Sequence, residues 1–98
     1  MVLPSISGVL TGDQVRATGA AIVAMQEPDG ALPWFPGGKT DPWDHVESAM
    51  ALSASGFLAQ ARAAYEWSAH TQRADGSWPI EVRRGHVVDP GVDSNFCA

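Results

Sequence analysis

The chain is poor in cysteine, in positive charge and in long apolar runs, and each shortage excludes something. Its single cysteine, Cys97, cannot form an internal disulfide, which predicts a reducing compartment and a cytoplasmic location. Lys and Arg number 6 against 11 Asp and Glu, a formal net charge of −5. The largest basic cluster is the pair Arg83 and Arg84, so neither a nucleic-acid groove nor an anionic membrane surface is expected. No charged segment leads into an apolar run at the N-terminus, which argues against a signal peptide. No uninterrupted apolar stretch is long enough to cross a bilayer, so no transmembrane segment is expected. His70 and His86 lack the spacing of metal ligands, and no metal or other cofactor is expected.

What is present is a repeated turn. Gln72-Arg73-Ala74-Asp75-Gly76-Ser77-Trp78-Pro79 answers Gln26-Glu27-Pro28-Asp29-Gly30-Ala31-Leu32-Pro33. Each copy leads on to an Asp-Pro phrase: Asp41-Pro42-Trp43-Asp44 in the first, and Asp89-Pro90-Gly91-Val92-Asp93 in the second. A recurrence after about 46 residues predicts one αα-hairpin per unit, with neighbours needed to bury the apolar faces. The length of 98 residues allows one small domain, and much of its 45% apolar content is alanine, which buries little area.

Residues 1–10 are punctuated by Pro and Gly and are expected to be loosely ordered; residues 11–98 would hold two partial αα repeats. Thr11 with Gln14 is a capping-box pattern that starts a first helix over 12–27, stopped by Pro28 and Asp29-Gly30. Asp41 as N-cap and Pro42 at the first helical position open a second helix, 42–55. Gly56 turns the chain into a third, 58–72, antiparallel to the second. Trp67 near its end is placed to anchor the turn that follows, and Trp78 is expected to be buried against this helix near Gln72. A short extended piece at 80–83 precedes a fourth helix opening at Asp89-Pro90 or Asp93. The fold class expected is all-α, a partial α/α toroid.

Gln-x-x-Asp-Gly-Ser-Trp at 72–78, after Ala-Arg-Ala-Ala-Tyr-Glu-Trp at 61–67, resembles the second half of the QW motif of terpene cyclases. With Asp-Pro-Trp-Asp-His-Val-Glu at 41–47, residues 10–98 resemble the prenyltransferase and squalene-cyclase repeat superfamily. The resemblance implies outer helices at 12–27 and 58–72, an inner helix at 42–55 around an apolar cavity, and an isoprenoid small molecule as substrate. The sequence also departs from that family. Leu32 stands where the first motif would have Trp, with Trp34 as a substitute. There is no Asp-x-Asp-Asp or Asp-Asp-x-x-Asp, and the zinc ligands of the protein prenyltransferases have no match.

Asp44, His45 and Glu47 lie at the start of the second helix, and Asp93 takes the matching place in the second unit. A carboxylate beside a histidine suits general acid–base chemistry, and Trp43 or Trp34 would face substrate, stabilising a carbocation through the ring. The bland reading is that acids are simply favoured in a helix's first turn and that His45 faces solvent. An alternative function is carbohydrate processing in an (α/α) barrel, with Trp34, Trp43 and Trp78 stacking on sugar rings and Glu47 paired with Asp44 or Asp93. A third is a non-catalytic assembly module. In each, exposed helix faces predict self-association or cover by the remainder of a longer chain.

Overall fold

A computed structural model of the chain describes residues 11–93. The loosely ordered N-terminus expected at 1–10, and a fourth helix running on from Asp93, lie outside them. Three helices come first: α1 (Gly12–Met25), α2 (Pro42–Ala54) and α3 (Leu58–Thr71). An antiparallel hairpin of β1 (Pro79–Arg83) and β2 (His86–Val92) follows.

Local chemistry sets each helix end. Thr11 Oγ1 accepts from the Gln14 amide at 3.1 Å while Gln14 Oε1 accepts from the Thr11 amide at 2.8 Å, the reciprocal box. Asp41 Oδ1 accepts from the amides of Trp43 and Asp44, and Pro42 needs no donor there. α2 ends in a paired closure: the Phe57 amide bonds the Leu52 carbonyl at 3.0 Å and the Gly56 amide bonds Ser53 at 3.2 Å. That arrangement requires a left-handed residue, and Gly56 supplies it with φ 90°. The tight corner packs α3 directly back on α2. Leu52, Ala49, Ala61 and Ala64 meet there with Leu32, and Ile22, Val23 and Phe57 close over them. Alanine at the crossing lets the two helices approach closely. α1 joins through Gly19, where a Cβ would stand 2.7 Å from the Phe57 ring carbon Cδ2.

The two repeated turns are built from the same bonds. In the first, Gln26 Nε2 donates to the Gly30 carbonyl, Asp29 Oδ1 accepts from the Ala31 amide, and Gly30 has φ 96°. In the second, Gln72 Nε2 donates to Gly76, Asp75 Oδ1 accepts from Ser77, and Gly76 has φ 89°. Their surroundings differ. Gln26 also donates to the Gln60 carbonyl in α3 at 2.9 Å, and a Cβ on Gly30 would strike the backbone of Ala63. Around Gly76 the nearest atom to such a Cβ is Gln72 Nε2, at 3.8 Å.

The all-α expectation is overturned by the hairpin: the fold is mixed, helices plus a two-stranded sheet. Ile80, Val82, Val87, Val88 and Val92 are mostly β-branched valine, which suits a pleated surface. Arg84 and Gly85, with φ 47° and 81°, make the two-residue turn whose twist matches paired strands. Asp89-Pro90 therefore lies in β2 and opens no helix. Pro90 is tolerated because β2 is a sheet edge and the register shifts between the Pro79 and Glu81 pairs. Arg73 fastens the hairpin to the second turn. Its guanidinium donates to Ser77 Oγ and to the carbonyls of Trp78, Pro90 and Gly91 at 2.7–3.2 Å.

The units also lock together. Thr40, fully buried, exchanges two backbone bonds with Val82, Thr40 N to Val82 O at 2.6 Å and Val82 N to Thr40 O at 3.0 Å. Trp67 is buried with Ala31 and Val82, so it anchors the first turn and β1 to α3. Trp78 is half-buried, its indole Nε1 donating to the Ser68 carbonyl at 2.8 Å.

Candidate functional site

An open cleft of about 660 Å³ lies between α1 and α2. Asp44, Glu47, Ser48 and Ala51 line it from α2, at the i, i+3, i+4, i+7 spacing that shares one helix face. Ile22 and Met25 line it from α1, and Leu32, Pro33 and Trp34 come from the segment that leaves the first turn. Three of the residues singled out from sequence, Trp34, Asp44 and Glu47, are thus brought to one place.

The other face of α2 is core, and His45 belongs to it. Its side chain is fully buried, neither in the cleft nor facing solvent. Nδ1 accepts from the Leu32 amide at 3.1 Å. Nε2 stands 2.7 Å from the Ala64 carbonyl, so the proton of the neutral ring is on Nε2. The ring lies 4.3 Å from that of Trp67. Burial pushes the His45 pKa below its ordinary value, opposed by the Ala64 carbonyl and by the charge of Asp29. With both nitrogens engaged, His45 holds the Leu32–Trp34 wall to the helical pair. Sequence reading placed this histidine outward because it weighed the acidic first turn, whereas the 45, 49, 52 spacing puts it on the same side as Ala49 and Leu52, the buried face of α2.

Trp34 is held in a closed loop by its own amide, which bonds Lys39 O at 2.9 Å, and by Gly38 N to Phe35 O at 2.8 Å. Lys39 Nζ stands 3.9 Å above the indole, a cation–π contact that fixes the ring. Half of Trp34 remains exposed. Trp43 is exposed too, but off the cleft. Asp93 is buried near the second turn, its amide bonding the Trp78 carbonyl at 3.0 Å, and it does not line the cleft. Among the described residues no group of three His, Cys, Asp or Glu side chains is placed to hold a metal. No helix among them is long and apolar enough to cross a membrane.

Chemically, the cleft offers two carboxyl groups on one helix face, the Trp34 indole and an apolar far wall. No family model matches the chain. A curated relative from Mycolicibacterium hassiacum, named MMP endo-(1,4)-3-O-methyl-alpha-D-mannosidase, is 62% identical over 96 residues. That alignment takes in 98% of this chain and 27% of the relative, so the chain spans about a quarter of the relative's length. The match overturns the resemblance to the prenyltransferase and squalene-cyclase superfamily and the isoprenoid chemistry it implied. The Gln-Asp-Gly turn explains the error. Its bonds close a helix end by local geometry, and such a closure carries no information about the reaction.

Proposed function

We propose that this chain forms part of the saccharide-binding cleft of a glycoside hydrolase, and that its substrate is a 3-O-methylated α-1,4-mannoside. The observation that carries the reading is that Trp34, Asp44 and Glu47 share one cleft, in a chain so similar to a mannosidase. An indole face packs well against the C–H face of a pyranose, burying apolar area without demanding hydrogen bonds. Asp44 and Glu47 are the carboxyl pair. One protonates the glycosidic oxygen as the C–O bond breaks; the other takes the proton of the water whose oxygen bonds to the anomeric carbon. Asp44 is fixed for this by Asp41, which caps the turn that carries it.

Calorimetric titration of the chain with an α-1,4-linked 3-O-methylmannose tetrasaccharide, and with farnesyl diphosphate alongside, tests the reading. Saccharide binding that is lost in Trp34→Ala is expected, with no binding of the diphosphate. Failure of the saccharide to bind would overturn it.

A further inference from the structure

The two walls of the cleft differ in chemistry. The α2 wall carries Asp44, Glu47 and Ser48, whereas the facing wall is Ile22 and Met25 of α1 with Leu32 and Pro33. Past that wall the cleft continues into a smaller recess of about 180 Å³, whose walls are again Ile22, Met25, Leu32 and Pro33, with Thr18 and Ala21 of α1 added and Ser48 of α2 at its edge. The hydroxyls of an ordinary sugar need hydrogen-bonding partners once they leave water; Ala21, Ile22, Met25, Leu32 and Pro33 supply none, and the Thr18 hydroxyl already donates to the Gln14 carbonyl at 3.0 Å. A methyl ether lacks the hydroxyl proton and presents a methyl group instead. Such a group gains by contact with branched aliphatic and thioether side chains.

We infer that the α1 wall, Ile22 and Met25 with Leu32 beside them, reads the O-methyl groups of the saccharide and makes the cleft prefer methylated over unmethylated mannosides. The inference rests on the proposed function and adds to it the residues that set specificity. Each methyl seated on the wall strengthens binding roughly fourfold, the value of one buried methyl-sized group. The hydroxyl it replaces would meanwhile be stranded there, which raises the discrimination to about tenfold. Met25 is the residue to change first, because Ile22 also packs on the core cluster.

The test is a matched pair of ligands, α-1,4-mannotetraose and its 3-O-methylated counterpart, titrated calorimetrically into the chain and into Met25→Gln and Ile22→Thr. Circular dichroism establishes that each variant is folded. The wild type is expected to favour the methylated ligand by about tenfold, and the preference to fall toward unity in both variants. Equal binding of the two ligands by the wild type would overturn the inference and leave the proposed function standing. A preference unchanged in both folded variants would overturn the assignment to this wall. Binding of neither ligand would overturn the proposed function, and the inference with it.

Discussion

The Nε2 of His45 stands 2.7 Å from the carbonyl oxygen of Ala64, a side chain of α2 joined to the backbone of α3 in the middle of the core. The same ring accepts from Leu32 on its other side. Replacing His45 by Ala leaves the buried Leu32 amide without a partner, costing about 1–3 kcal/mol, strips the Ala64 carbonyl of its second bond, and opens a cavity as well. In a chain of this size each kcal/mol lowers the melting temperature by about 4–8 °C. His45→Ala is expected to melt well over ten degrees below the parent or not to fold, as followed by far-ultraviolet circular dichroism.

The same ring predicts an acid dependence. Burial lowers the folded-state pKa of His45 below its ordinary 6.5, so the unfolded chain binds the proton more readily. Stability is then fully present above about pH 6.5 and falls as the pH drops below it toward the folded pKa. Glu27 acts with the opposite sign. Burial and the charge of Asp29 raise its pKa above 4.5, so its contribution weakens stability as pH rises through that region. Urea midpoints measured at about pH 7.5 and about pH 5.5 should be lower at the acid end. The gap should shrink in a folded His45→Gln variant.

The paired turns give an internal control. Gly30→Ala and Gly76→Ala impose the same left-handed strain, about 1–2 kcal/mol. Only at Gly30 does the added methyl also meet the backbone of Ala63. Gly30→Ala should therefore lose about 1–3 kcal/mol more than Gly76→Ala, measured by denaturant unfolding.

At the cleft, Asp44→Asn keeps the size of the side chain and removes its charge. On the function proposed above, any hydrolysis of 3-O-methylmannose oligosaccharides by the chain is expected to fall by about 100-fold or more in this variant, while the melting temperature stays within a few degrees of the parent. Release of reducing ends by the chain and by the variant is the measurement. Equal rates would exclude Asp44 from the carboxyl pair.

Met50, Leu58 and Tyr65 leave apolar surface on the outer sides of α2 and α3, exposed by 59%, 55% and 42%. Such surface invites cover, and the chain by itself is expected to self-associate at micromolar concentration. Sedimentation equilibrium reporting only monomer would contradict this.

Much of the helical part was legible because its signals are local. Thr11 with Gln14, Asp41 with Pro42, and Gly56 each act within a few residues of themselves. The hairpin was legible only in its first strand, since the extended piece expected at 80–83 is β1. Its turn, Arg84-Gly85, puts an arginine where Asn or Asp is usual, and Asp89-Pro90 imitates a helix start. The cleft was half visible. Asp44 and Glu47 declare themselves by spacing, as Trp34 does by being aromatic, but their meeting depends on how α1 lies over α2. His45 was misjudged because the acidic first turn was given more weight than its spacing from Ala49 and Leu52, and because its partners, Leu32 and Ala64, are distant in sequence.

The Thr40–Val82 exchange carries a consequence for the order of assembly. The α2–α3 hairpin and the β-hairpin each join neighbours in sequence, and such pieces form in microseconds. The link between Thr40 and Val82 must wait until both exist, because it encloses the whole helical pair. Late contacts act on the rate of unfolding rather than of folding, so we expect Val82→Ala to hasten the opening of the molecule and leave its closing nearly unchanged. Thr40 also immediately precedes the Asp41 cap. Fastening of the stretch that leads into Asp44 is thus tied to the docking of the β-hairpin.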